Sequence, residues 1–248
     1  MIILKSEAEI AIMRRAGSLV WHVIDRIGQA VRPGVTTREL DAIAENTIRA
    51  AGAEPSFKGY HGYPASICAS VNEQVIHGIP GERRLAEGDI IGIDVGAVLN
   101  GYHGDSARTF AVGAVSPEAS RLLKVTEESL AAGIEAARAG NALGDIGHAV
   151  QSHAESHGFS VVRDFVGHGI GRRMHEGPAI PNYGREGMGR RLRAGMVLAI
   201  EPMINAGGYE VEVLSDNWTA VTRDGSLSAH FEHTVAITED GPVVLTLP

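Results

Sequence analysis

Two histidines and a run of glycines share one short stretch, VGHGIGRRMHEGP, at residues 166–178. His168 and His175 are seven residues apart, a spacing that two turns of a helix would place on one face. Each glycine costs about 1 kcal/mol in a helix interior, which disfavours a helix here. On a single strand an odd spacing turns the two imidazoles to opposite sides. We therefore predict that His168 lies at a strand end and His175 in the bend beyond it, where glycines let a ligand come close.

Two aspartates flank Asn100-Gly101, a dipeptide typical of a two-residue hairpin turn. Such a turn pairs Asp94 with Ala107 and makes Asp105 its diagonal neighbour on the same face. Two partly buried carboxylates this close repel each other unless one keeps its proton or a cation lies between them. A three-residue loop or a bulge would change this parity, and either aspartate alone could be an ordinary solvated strand residue.

Two glutamates extend the acidic set. Glu201 ends the apolar run MVLAIEP, where burial of a charge is costly unless a positive partner receives it. Glu232 shares a strand face with Thr234 and Ala236, although a single glutamate there could equally face solvent. Four carboxylates and one imidazole form a ligand set for two divalent cations, which can activate water for hydrolysis. Oxygen-rich coordination with one nitrogen suits Mn, Fe or Co and leaves Zn open.

Composition excludes several classes of protein. The formal net charge of −8 argues against a general nucleic-acid binder. The single cysteine, Cys68, forbids an intramolecular disulfide and favours a reducing compartment. We find neither a signal-peptide core nor an apolar run of the roughly 20 residues that a membrane span needs. The segment GHGIG could also be considered as a nucleotide-binding loop, but it lacks the full glycine pattern of such loops. We expect a soluble, cytoplasmic protein that binds neither DNA nor a membrane.

Four helices are predicted, two of which begin at capping boxes formed by Ser6 with Glu9 and by Thr36 with Glu39. A third follows the N-cap and first-turn proline Ser116-Pro117. The predicted ranges are Ser6 through Ile27, Thr36 through Ala51, Ser116 through about Ala139, and Gly140-Asn141 up to Gly158. Strands are predicted within 89–113, 194–204, 231–240 and 243–247. Together these elements indicate the α+β class.

A shift of 106 residues carries the boundaries of the first two helices onto the second two. It takes Gly34 to Gly140 and Gly52 to Gly158. We predict duplicated halves, roughly 1–110 and 111–248, related by a pseudo-twofold axis within a single catalytic domain 1–248. The alternative is a chance match of apolar positions.

Seven motifs follow the order and spacing of a known family. They are HGIP at 77–80, DVG at 94–96, GDSART at 104–109, GHGIG at 167–171, MHEGP at 174–178, EP at 201–202 and FEHT at 231–234. In this respect the chain resembles the bacterial type I methionine aminopeptidases over essentially its whole length. The resemblance implies the pita-bread fold, in which two α+β halves surround a curved antiparallel sheet.

The resemblance also implies a dinuclear metal centre with five ligands. Asp94 would chelate one ion and Asp105 and Glu232 would bridge both, while His168 and Glu201 would hold the second ion. The two divalent ions would be Co, Mn, Fe or Zn. The implied reaction is removal of the initiator methionine from nascent proteins, with preference for a small second residue.

Further residues receive roles from the same resemblance. Glu201 would take the proton of the attacking water, His175 would stabilise the oxyanion, and His77 would contact the scissile amide or assist the leaving amine. The methionine pocket would contain Tyr60, Tyr63, Cys68, Met174 and Trp218. Phe57 stands where relatives often have cysteine, and Met174 where they often have phenylalanine. Both positions remain apolar, so the polarity of the pocket should be kept. For the pocket residues as a group, the alternative is ordinary core packing.

The expected partners are the N-termini of nascent polypeptides, and the expected oligomeric state is a monomer. Contact with the ribosome could involve the basic cluster Arg185, Arg190, Arg191 and Arg193, for which a solvated charged loop is the alternative. Two other functions use the same fold: a dipeptidase or aminopeptidase P that cleaves before proline, and an inactive binding homologue. The first normally carries an additional N-terminal domain, and the second usually loses metal ligands.

Overall fold

A computed structural model describes residues 2–248. Its helices are α1 Glu7–Ala30, α2 Thr37–Ala50, α3 Pro117–Ala136 and α4 Leu143–Ser156. Its strands are β1 Glu54–Pro55, β2 Ile67–Val71, β3 Gln74–Ile76, β4 Ile90–Leu99, β5 Tyr102–Ala111, β6 Ser160–Val161, β7 Gly167–Gly169, β8 Glu176–Ile180, β9 Val197–Ile200, β10 Met203–Asn205, β11 Val211–Val213, β12 Ala220–Thr222, β13 Ser228–His230, β14 Glu232–Thr238 and β15 Gly241–Val244.

The first two helices begin where the capping boxes predict. The Ser6 hydroxyl accepts from the Glu9 N–H while the Glu9 carboxylate accepts from the Ser6 N–H, and Thr36 with Glu39 repeats the arrangement. Helix α1 continues beyond Ile27 to Ala30, before Pro33 and Gly34 prevent further helix.

Helix α3 ends earlier than predicted, at Ala136 rather than near Ala139. The side-chain amide of Asn141 donates to the carbonyl oxygen of Ala136 at 2.9 Å, and so replaces the N–H that a further helical turn would supply. Helix α4 then begins at Leu143, just after Gly140-Asn141, as expected.

Helix boundaries repeat at a fixed distance along the chain. Helices α1 and α3 end at Ala30 and Ala136, and helices α2 and α4 span 37–50 and 143–156. All of these positions are 106 residues apart. The repeat agrees with the spacing of the glycines in the sequence, while duplication of the two halves stays a prediction.

Nine of the strands in residues 2–248 form one antiparallel sheet, in the order β1-β4-β5-β14-β9-β7-β8 with β2 on β4 and β15 on β14. The β4–β5 hairpin turns on Asn100 and Gly101, whose φ angles are +52° and +77°. The last strand is displaced from the predicted 243–247: β15 starts at Gly241, which pairs with Thr238 across a tight turn, and ends at Val244. The α+β class is confirmed.

Alternation along the strands separates a helix-facing side of the sheet from a cavity-facing side. Ile93 and Val95 of β4 pack into the apolar core that contains α1 and α2. Val235 and Ile237 of β14 pack with residues of α3 and α4. Because side chains alternate along a strand, Asp94 and Glu232 project from the opposite side. Among the described residues, none of the helices has the length and apolar character needed to cross a membrane.

Candidate active site

Strand register places two of the carboxylates on either side of one alanine. Ala107 of β5 is paired with Asp94 on β4 and with Glu232 on β14. Directly opposed residues of antiparallel strands point to the same face. Asp105, two residues before Ala107, lies on that face as well, and its partner on β4 is Gly96. The parity predicted from the two-residue turn is confirmed.

Strands from the C-terminal half of the chain bring His168 and Thr234 close to these carboxylates. His168 on β7 is paired with Ala199 on β9, and Ala199 is paired with Thr234 on β14. The Thr234 hydroxyl donates to the carbonyl oxygen of Asp105 at 2.7 Å and accepts from the Asp105 N–H at 3.1 Å. Thr234 therefore joins β14 to β5 beside the Asp105 carboxylate.

Glu201 follows β9 immediately and faces His168. The distance from His168 Nε2 is 3.6 Å to Glu201 Oε1 and 3.8 Å to Asp105 Oδ2. Nδ1 of His168 lies 2.9 Å from the carbonyl oxygen of Gly169. A proton donated there leaves the lone pair on Nε2, the tautomer in which an imidazole binds a metal.

The donor set fits a divalent metal centre. One oxygen each of Asp94, Asp105 and Glu232 is buried without a hydrogen-bond partner. One ligand atom each of Asp105, His168 and Glu232 lies within 4.8 Å of the others, and all three residues are buried. Buried carboxylates are costly unless a cation receives them. The geometry therefore brings Asp105, His168 and Glu232 to a place where they could hold metal, while the five-ligand set stays a prediction.

Burial and mutual repulsion change the acidity of these groups. Burial raises the pKa of Asp94 to about 7. Burial also raises the pKa of Asp105, Glu201 and Glu232 well above the ordinary range, and each of these carboxyls is raised further by neighbouring carboxylates. Burial lowers the pKa of His168 to about 4, which keeps its imidazole neutral at pH 7. Without metal, four negative charges are thus unfavourable here.

These acids line a cavity of about 200 Å³, whose remaining wall is apolar and aromatic. Every residue predicted to bind metal or substrate lines it: Tyr60, Tyr63, Cys68, His77, Asp94, Asp105, His168, Met174, His175, Glu201, Trp218 and Glu232. Residues distant in sequence are therefore brought to one place. Their individual roles stay predictions.

Fixed aromatic rings form the apolar wall. The Tyr63 hydroxyl lies 3.0 Å from the carbonyl oxygens of both Ile67 and Gly78, and its ring meets Trp218 edge-on with 5.0 Å between centroids. Cys68 is buried and paired with Asp94 across β2 and β4. This wall therefore has little freedom to rearrange.

Phe57 and Met174, the two positions predicted to differ from relatives, are both buried in this apolar cluster. A Cβ atom added at Gly96 would lie 2.7 Å from the Phe57 ring, so the large side chain needs a glycine beneath it. The pocket keeps its apolar character at both positions.

The two other predicted histidines also line the cavity and contact different neighbours. Nδ1 of His175 is 2.8 Å from the Tyr60 hydroxyl, and the His175 ring is 4.3 Å from that of His168. His175 directly precedes β8, in the bend that the glycine pattern predicts. His77 packs edge-on against Phe165, and burial lowers its pKa to about 4.

Sequence reasoning missed His230 and Phe165. His230 is fully enclosed, with Nε2 3.8 Å from Glu201 Oε2 and without a hydrogen-bond partner. Both hydrogen-bonding groups of its backbone bind the Thr109 hydroxyl, at 2.8 and 2.9 Å. The signal was available in HFEHT, where alternation places His230 on the same side as Glu232. Phe165 carries no comparable signal, because it precedes the glycine-rich stretch in an irregular loop.

Comparison with known proteins agrees with this arrangement. The family model of Peptidase_M24, metallopeptidase family M24, matches residues 11–239. The methionine aminopeptidase of Clostridium perfringens is 58% identical over 247 residues, which cover 100% of this chain and 99% of that protein. Methionine aminopeptidase 1 of Bacillus subtilis is 56% identical, with 99% of each chain covered.

Solved structures show the same relationship. The crystal structure of methionine aminopeptidase from Rickettsia prowazekii superposes with a TM-score of 0.98 at 48% identity, over the whole of both chains. The prolidase of Pyrococcus horikoshii OT3 superposes with a TM-score of 0.81 at 25% sequence identity, and this chain covers 64% of that protein. The predicted pita-bread fold is confirmed. The chain belongs to metallopeptidase family M24 and, within that family, to the methionine aminopeptidases.

Proposed function

We propose that this protein hydrolyses the peptide bond that follows an N-terminal methionine. The observation that carries the proposal is the cavity itself, which is lined by four carboxylates and His168 together with aromatic rings and the Cys68 thiol. Sulfur packs favourably against ring edges, so Tyr63, Trp218 and Cys68 suit a flexible thioether side chain. Identities of 56–58% to methionine aminopeptidases support the same activity.

Two divalent ions are proposed as cofactors, held as the family resemblance implies. Asp94 would hold one ion, His168 and Glu201 the other, while Asp105 and Glu232 would contact both. When bound, such ions supply Lewis acidity and an activated water. Mn, Fe, Co and Zn are all compatible with a ligand set of four carboxylates and one imidazole.

Three side chains are proposed to act on the substrate and its proton. Glu201 would take the proton of the attacking water, as the resemblance implies, and its carboxylate lies in the cavity 3.6 Å from His168 Nε2. A neutral His175 that accepts the Tyr60 proton at Nδ1 carries its own proton on Nε2, which can stabilise a developing oxyanion. His77 would contact the scissile amide.

Preference for a small second residue is proposed on the resemblance and on the size of the cavity. A volume of about 200 Å³ is small beside the 300–1,000 Å³ typical of drug-sized ligand sites. Once a methionine side chain occupies the apolar wall, little space remains for a large neighbour.

The proposed substrates in the cell are nascent polypeptides in the cytoplasm, and the protein is proposed to act as a monomer. The four arginines of the basic cluster are all exposed: Arg185, Arg190, Arg191 and Arg193. Exposure is required both for contact with ribosomal RNA and for an ordinary solvated loop. Ribosome sedimentation with all four arginines replaced by serine would separate these two readings.

The decisive experiment compares two peptides, Met-Ala-Ser and Ala-Pro, with added Mn²⁺ or Co²⁺ and again with a chelator. We expect cleavage of Met-Ala-Ser alone, with loss of activity on chelation. A preference for Ala-Pro would assign the protein to the proline-specific branch of the fold. If calorimetry showed no metal uptake, or uptake unaffected by Asp105→Ala, a non-enzymatic binding role would replace the proposal.

A further inference from the structure

A second group of potential metal ligands lies on the outer surface, where α3 and α4 pack together. It consists of Glu128 on α3 and His153 on α4, with His157 at the C-cap of α4. Nε2 of His153 is 3.3 Å from Glu128 Oε2, and the two imidazole rings are 4.6 Å apart. One ligand atom from each residue lies within 4.8 Å of the others. None of the three lines the catalytic cavity.

Helix geometry brings the ligands together. His153 and His157 are four residues apart at the end of α4, so they lie on one face of that helix. The separation of α3 and α4 is held by their packing, since a Cβ atom added at Gly133 would lie 2.7 Å from Val150 Cγ2. The backbone positions of Glu128 and of the histidine pair are therefore set by the core.

Hydrogen bonding prepares His157 as a ligand. Its Nδ1 lies 2.8 Å from the carbonyl oxygen of His153, which fixes the proton on Nδ1 and leaves the lone pair on Nε2. This is the same tautomer that the Gly169 carbonyl imposes on His168 in the cavity. A histidine without such a contact would distribute its proton between both nitrogens.

The distance between His153 and Glu128 suits a shared ion. Two ligands bound to one tetrahedral Zn²⁺ at about 2.0–2.1 Å are roughly 3.3 Å apart. The observed separation is 3.3 Å. Lys124 lies 3.8 Å from the other Glu128 oxygen, Oε1, and so leaves Oε2 to face the imidazole.

We propose that Glu128, His153 and His157 form a binding site for Zn²⁺ or a similar divalent transition ion, separate from the catalytic centre. Two imidazoles and one carboxylate are an established zinc ligand set, and water completes the tetrahedron. The ion would connect α3 to the last turn of α4. The side chains of Glu128 and His153 are 43% and 28% exposed, so the ion can enter from solvent.

Equilibrium dialysis against Zn²⁺, followed by elemental analysis, tests the site without an activity assay. We expect the wild-type protein to retain one more ion per chain than His157→Ala. His148→Ala is the matched control, because His148 is an exposed histidine of the same helix whose side chain contacts Ser152 alone among the described hydrogen bonds. It should retain as many ions as the wild type.

A second variant and a second readout guard against misfolding. Glu128→Gln preserves shape while removing the charge, and it should lower the Zn²⁺ affinity of the site by about tenfold or more. Hydrolysis of Met-Ala-Ser by the Mn²⁺-loaded enzyme should be unchanged in both His157→Ala and Glu128→Gln. Equal ion counts in wild type and His157→Ala would overturn the proposal and leave only a hydrogen bond between the helices. An equal loss in His148→Ala would overturn it too, by indicating nonspecific adsorption.

Discussion

The Tyr60 hydroxyl contacts one of the histidines in the cavity and so restricts the orientation of its ring. It lies 2.8 Å from Nδ1 of His175, and partial burial lowers the pKa of that imidazole. A neutral imidazole donates from only one nitrogen. The contact therefore orients the donor that we assign to the oxyanion.

Tyr60→Phe should lower kcat about fivefold, because a lost hydrogen bond of about 1 kcal/mol weakens the orientation of His175. KM for Met-Ala-Ser should change much less, since the ring remains. Tyr63→Phe is the matched control: its hydroxyl contacts backbone carbonyls of Ile67 and Gly78 and not His175. Equal losses of kcat in both variants would contradict the assignment.

At the scale of elements, contacts that follow a regular local pattern can be predicted from the sequence, and other contacts cannot. Ser6 and Thr36 cap α1 and α2 by contacts three residues away, which a sequence can reveal. The end of α3 is set by a contact five residues long, from the Asn141 side-chain amide to the Ala136 carbonyl oxygen, which has no comparably regular sequence signature.

The same distinction applies to the site. Asn100-Gly101 fixes the relation of Asp94 to Asp105, because that pairing is local. The approach of β14 to β5, which brings Glu232 beside Ala107, joins segments about 125 residues apart and has no local cause. For those contacts the prediction rested on the family resemblance. His230 could have been found from the same strand pattern, because alternation places it on the same side as Glu232.

The start of α1 should respond to acid. Glu9 accepts from the Tyr102 hydroxyl at 2.6 Å as well as from Ser6, and these hydrogen bonds lower its pKa to about 2. Because the pKa of Glu9 is lower in the folded than in the unfolded state, its ionised carboxylate stabilises the fold above about pH 4.5. This stability is lost as the pH falls toward 2. Chemical denaturation should show the wild type losing more stability than Glu9→Gln over that interval. Parallel pH profiles would contradict this role of Glu9.

The packing of α1 on β5 depends on a close backbone approach. A Cβ atom at Gly104 would lie 2.8 Å from backbone atoms of Ala16 and Gly17, which cannot move without shifting the helix. Gly104→Ala should therefore lower the free energy of unfolding by about 1–3 kcal/mol. Gly81→Ala, at a site with open space and no positive φ, should be close to neutral. Denaturant titration of both variants measures the difference.

For the molecule as a whole, the clustered carboxylates make stability depend on metal. Mn²⁺ at 100 times its dissociation constant should stabilise the fold by about 2.7 kcal/mol, or roughly 5–10 °C in Tm. A chelator should reverse the shift. Asp105→Asn should respond far less to Mn²⁺, yet its metal-free form should melt above the metal-free wild type, because burial and repulsion by neighbouring carboxylates raise the pKa of Asp105 and so destabilise the wild-type fold at neutral pH. A metal-free Asp105→Asn protein that melts lower would contradict the repulsion argument.

The proposed ligands come from both sides of the connection at residues 112–116: Asp94 and Asp105 precede it, and His168, Glu201 and Glu232 follow it. Cutting the chain at that connection would yield two complementary fragments, each with too few acids to retain an ion alone. Their reassembly in a test tube should then require a divalent cation and be undone by a chelator. In such a split protein, recovered peptidase activity would report how much free metal the solution contains.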